Sequence, residues 1–103
     1  MQMVSYWKGM NGESSPMPFY DEDGELFLIA GYYDHKNQGR AVKSVGVYWY
    51  DSYPVSRDRL APCVIPSKTA KCLLKGLFIE LLSVGEKEKA DKVAAVIKFL
   101  MEE

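Results

Sequence analysis

One histidine and two cysteines are all that 103 residues offer in imidazole and thiol chemistry. A histidine-rich metal site is therefore excluded, and Cys63 and Cys72 lack the close pairing of a zinc ribbon or a redox CxxC motif. A small extracellular domain held by disulfides would carry more cysteines at regular spacings. The chain accordingly reads as cytoplasmic and reduced, with both thiols buried by default. Long hydrophobic runs are also missing: no stretch approaches the roughly 20 apolar residues that span a bilayer. The start, Met1 to Trp7, has neither a basic region nor an apolar one of the kind that directs secretion. Neither membrane insertion nor secretion is expected.

Charge of one sign is lacking as well. Thirteen Lys and Arg against fourteen Asp and Glu leave a formal net charge of -1, so no long-range field recommends nucleic acid or an acidic membrane. Glycine-rich phosphate loops are absent in both the Walker and the dinucleotide GxGxxG forms, which argues against nucleotide-dependent enzymology and leaves no cofactor expected. The acidic run Asp21-Glu22-Asp23-Gly24-Glu25 lacks the twelve-residue spacing and terminal glutamate of a calcium loop and reads as a solvated turn.

What is present suits one globular domain over residues 1–103. The chain is 48% hydrophobic and 26% charged, close to the globular average, and too short for two self-sufficient cores. Residues 3–7 form a short strand in this reading, ended by the turn formers from Gly9 to Pro18. Asp23-Gly24 between apolar flanks predicts a tight hairpin turn. Leu26 to Tyr33 is an almost unbroken apolar and aromatic run, the pattern of a central strand. Ala41 to Tyr50 is a second strand, paired antiparallel with the first across the polar loop Asp34 to Arg40, and Gly46 in it marks either a bulge or space for a bulky neighbour. Pro62 demotes Leu60 to Ile65 to an edge strand or an extended crossover.

The helical signals come last. Ala70, Leu73, Leu74, Leu77, Phe78, Leu81 and Leu82 recur at i, i+3, i+4, i+7 and predict a core helix over 67–83, with Ser67 as N-cap and Gly85 as the C-terminal stop. Cys72, Gly76 and Ile79 lie off that leucine stripe and suggest a second apolar side. Glu86 to Asp91 opens another helix, with Ala90, Val93, Ala94, Ile97 and Met101 as its stripe. Strands first and helices last predict a segregated α+β fold, an antiparallel sheet of about four strands with two C-terminal helices packed on one face.

No catalytic set emerges. His35 is in a polar loop, and a nucleophile for it would have to be Cys63 or a serine brought near by folding. What stands out is the aromatic density of Tyr32, Tyr33, Tyr48, Trp49, Tyr50 and Tyr53, interleaved with Lys36, Arg40, Lys43, Arg57 and Arg59. Tyrosine and tryptophan are strong strand formers and are enriched at protein interfaces. The leading expectation is a non-enzymatic interaction or regulatory module with a protein partner or a second copy of itself, using the aromatic strands or a helix. The alternative is a nucleic-acid binder that stacks bases on Tyr48, Tyr50 and Tyr53 and holds phosphates with Arg40, Arg57 and Arg59. A small hydrolase or transferase built on His35 is the third.

Overall fold

The computed structural model describes residues 7–13, 16–34, 39, 41–49, 55–56, 59–60 and 63–102. Their order is β1 (Trp7–Gly9), β2 (Tyr20–Glu22), β3 (Leu26–Tyr33), β4 (Val42–Trp49), β5 (Val55–Ser56), β6 (Arg59–Leu60), β7 (Cys63–Pro66), α1 (Ser67–Ser83) and α2 (Lys87–Met101). The fold is α+β, with an antiparallel five-stranded sheet and two C-terminal helices. Its path runs β1-β3-β4-β7, and β2 pairs the same side of β3 further along. The count exceeds the expected four because β1 and β2 divide one edge of β3 between them.

The turn into β3 forms as its residue types require. Asp23 and Gly24 have φ of 53° and 71°, the pair of positive values that a type I′ turn needs, and the Glu25 amide donates to the Glu22 carbonyl at 2.9 Å. β3 and β4 then pair without interruption from Leu26↔Trp49 to Tyr33↔Val42. No bulge occurs at Gly46, which stands opposite Ile29, whose side chain is fully buried. β7 pairs β4 and forms the other edge of the sheet, as Pro62 just before it leads one to expect. The connection before it carries the small β5–β6 ladder, Val55↔Leu60 and Ser56↔Arg59.

Strand alternation divides the apolar residues between two faces. Leu28, Ala30 and Val45 point to one side and join Ala70, Leu74 and Leu81 of α1 and Ala90, Val93, Val96 and Leu100 of α2 in the main core. Trp7 and Ile29 form a second cluster on the other side, with Tyr33 and Tyr48 packed against it. α1 packs along α2 and over β4 and β7, while α2 reaches β2. Among the described residues no helix is long and apolar enough to cross a membrane.

Helix ends show one correction and one agreement. Pro66, not Ser67, caps α1: Pro66 still has the extended ψ of 152° from β7, Ser67 is already helical, and no side chain bonds the first-turn amides. At the other end Gly85, at φ 80°, donates to the Leu82 carbonyl at 3.2 Å while Glu86 donates to the Leu81 carbonyl at 2.9 Å, the paired bonds of a Schellman stop.

The stop of α2 is supplied from the sheet. Lys43 on β4 extends its ammonium to the Phe99 carbonyl at 2.8 Å and to the Glu102 carbonyl, and lies 4.7 Å from the centre of the Phe99 ring. A cation here satisfies orphan carbonyls and opposes the negative end of the helix dipole. Lys43→Met is expected to cost about 1 to 2 kcal/mol. It should also speed amide exchange in the last turn of α2 far more than in α1. Uniform exchange across both helices would show that Lys43 does not hold this end.

Candidate interaction surface

Of the residues named for nucleic-acid binding, Tyr48 alone has a described side chain. Tyr48 is half-buried on the face of the sheet away from the helices, its ring stacked on Phe27 with centroids 5.1 Å apart and planes 16° apart. Burial pushes the Tyr48 phenol above its ordinary pKa. Arg59 belongs to β6, where the backbone alone is described. Tyr50, Tyr53, Arg40 and Arg57, together with His35, lie outside the described residues. The neighbouring aromatics have partners within the fold. Tyr33 meets Trp7 at 5.2 Å and Tyr32 meets Phe99 edge-on at 5.4 Å. At these centroid distances aromatic pairs add to the burial energy of the strands that carry them.

Charge is also partly matched by folding. The acidic β2–β3 turn comes close to the start of α2, so that Lys89 is 5.9 Å from the Tyr20 ring centre. Desolvation raises the Tyr20 phenol, and Glu22, Asp23, Asp21 and Glu86 raise it further in that order. A depression of about 290 Å³ lies here, lined by Phe19, Tyr20, Asp21, Phe27, Lys89 and Lys92. A second, of about 360 Å³, lies between the β1–β2 turn and the end of α2, lined by Met10, Asn11, Tyr32, Lys43, Lys98 and Phe99. Among the described residues neither joins a nucleophile to a base, and in the second the Lys43 ammonium is engaged by the helix carbonyls. Among the described residues no group of three or more His, Cys, Asp or Glu side chains is arranged to hold a metal ion.

Among the described residues, α1 carries the most exposed large apolar side chains of any element. Its buried residues are Ala70, Leu74 and Leu81, with Leu77 and Phe78 partly covered beside them. Leu73 and Leu82, expected in the core, are 42% and 49% exposed, and Ile79 and Val84 are 67% and 61% exposed. The expected burial of both thiols is likewise overturned. Cys63 opens the edge strand β7 and Cys72 is on the outer side of α1, and both are exposed. The physical reason is the width of the apolar arc, since α1 carries large apolar side chains on more of its circumference than one sheet and one neighbouring helix can cover. The second apolar side suggested by Cys72, Gly76 and Ile79 is present and is broadened by Leu73 and Leu82.

α2 shows the same ambiguity on a smaller scale. Ala90 and Val93 are buried as expected, Ala94 and Ile97 only partly, and Met101 is 60% exposed, while Val96 and Leu100 complete the buried stripe instead. No protein-family model, curated protein or solved structure matches this chain.

Proposed function

We propose that this protein is a non-enzymatic interaction module whose protein-binding surface is the outer face of α1. One observation carries the reading: Leu73, Ile79 and Leu82 are exposed together on one helix, with Val84 just beyond its end. Apolar side chains scattered singly over a surface need no explanation, whereas here Ile79 points outward and Leu73 and Leu82 border that outward side on its two flanks, a broad uncovered apolar arc of the kind that marks an association site. The sheet edge is a poorer candidate, because β7 spans only Cys63–Pro66 and is bounded by prolines, a device that discourages strand addition. The nucleic-acid alternative needs open aromatic faces, and one face of Tyr48 is already taken by Phe27. The α1 surface therefore has the stronger support.

The test is site-specific photo-crosslinking in cells. Ile79→benzoylphenylalanine should give a discrete protein adduct that disappears when Leu73→Asp is added, while Lys87→benzoylphenylalanine on the polar start of α2 should give none. Equal labelling from both positions, or no protein adduct from position 79, would overturn the reading.

A further inference from the structure

We propose that the outer face of α1 binds a second copy of this chain, with the two α1 helices side by side and parallel about a two-fold axis. This rests on the reading of α1 as an interaction surface and names the occupant. Assigned to a heptad, Thr69, Gly76 and Ser83 occupy a, and Cys72 and Ile79 occupy d. Every buried or partly buried apolar residue of the helix, Ala70, Leu74, Leu77, Phe78 and Leu81, then falls at b, c or f. The helix thus has two seams: b, c and f face its own core, and a and d face outward at the spacing by which helices pair.

Charge decides what pairs with it and in which direction. Lys68 and Lys75 occupy g, on one flank of the outer seam, and Glu80 occupies e, on the other. In a parallel pair each g residue meets the e residue five positions on in the partner, so Lys75 meets Glu80 of the second copy twice over by symmetry. An antiparallel pair brings g to g and e to e, which sets Lys75 against its own symmetry mate and Leu73 beside Glu80. Lys75 and Glu80 are both exposed, and no ion pair engages either among the described residues. A copy of the chain therefore supplies the charge pattern that this face requires, in one orientation only.

Gly76 fits the same arrangement. It is in the middle of α1, where glycine costs about 1 kcal/mol relative to alanine, and a Cβ built there meets nothing within 4 Å. Among the described residues no packing calls for its bare backbone. At the centre of the outer seam it lets two helices approach closely. A single 17-residue helix is about 25 Å long. That face alone falls short of the roughly 800 Å² per partner of a standard interface. Association is accordingly weak, in the micromolar range.

Sedimentation equilibrium of the reduced protein tests the occupant, and variants test the direction. A monomer–dimer equilibrium is expected, weakened at least several-fold by Ile79→Ser, by Lys75→Glu and by Glu80→Lys. Combining Lys75→Glu with Glu80→Lys should restore the original affinity, a rescue that loss of folding could not produce. In a Cys63→Ser background, a short bismaleimide should join Cys72 to Cys72 of the second copy. An antiparallel pair centred on Gly76 would separate those thiols by about 12 Å along the axis and leave them unjoined. A monomer up to about 1 mM overturns the proposal, as does dimerisation untouched by Ile79→Ser. If the chain stays monomeric yet position 79 still gives its Leu73-dependent adduct with another protein, the homodimer fails and the interaction reading stands. If both fail, the surface has no protein partner.

Discussion

Leu74→Ala should destabilise the fold by about 2 to 5 kcal/mol, whereas Leu73→Ala, one residue earlier, should cost about 1 kcal/mol or less. The contrast follows from direction alone. Leu74 is fully buried in the cluster that holds Leu28, Val45, Val93 and Val96, and Leu73 is 42% exposed at the edge of the outer seam. Removing Leu74 subtracts the transfer energy of its methyl groups and leaves a void that helix and sheet close only in part. Total stabilities of domains this size run to about 5 to 15 kcal/mol, so the loss is a large share of the whole. It should lower the melting temperature by roughly 10 °C or more. Calorimetry on the two variants separates the seams of α1. Comparable losses at both positions would mean that Leu73 is covered within the chain and that the outer face is not free.

Fold class was legible because its signals are local. Asp23-Gly24 permits the positive φ pair, the Leu26 to Tyr33 and Ala41 to Tyr50 runs suit paired strands, and Gly85 supplies the left-handed stop after α1. The α1 limits of 67 and 83 followed from periodicity and that stop. Orientation was not legible. A helical wheel groups Leu73, Leu74, Leu77 and Leu81 but does not say which arc faces inward when apolar residues spread beyond one face. The same gap misplaced Leu82 and Met101 and hid Val96 and Leu100.

Partnership across long separations was beyond the sequence as well. Nothing near Lys43 announces that its ammonium will close α2, more than fifty positions away. In the sequence it belongs to a basic and aromatic stretch that suggests phosphate binding; in the fold it is the cap of a helix. Exposed thiols were missed for a related reason. Cysteine is among the most often buried residue types, but an edge strand and the far side of a two-seamed helix are both places where that tendency fails. The candidate surface was legible in outline, from Cys72, Gly76 and Ile79 off the leucine stripe, while the exposure of Leu73 and Leu82 at its edges emerged only from what folding left uncovered.

Trp7→Ala is the other substitution with a large expected effect, about 3 to 5 kcal/mol. Trp7 is in a three-residue strand at the edge of the sheet, where an exposed side chain would be ordinary, yet it is only 1% exposed. Its ring lies 5.2 Å from that of Tyr33 and forms one cluster with Ile29, on the face away from both helices. The sheet is therefore covered on both sides at its centre, and the second cluster contributes to folding. Trp7→Phe keeps a ring beside Tyr33 and should lose much less, which distinguishes removal of packing from disturbance of the strand. Urea melts followed by far-ultraviolet circular dichroism give both numbers. The result bears directly on function, because a base-stacking platform needs accessible rings, and those packed in a cooperative core are not accessible. If Trp7→Ala costs under about 1 kcal/mol, the far side is only loosely covered. Its tyrosines would then be open to ligands, and salt-sensitive binding to single-stranded oligonucleotides becomes the measurement to make. A loss of several kcal/mol leaves the outer seam of α1 as the larger uncovered apolar surface, and association through it as the property to test first.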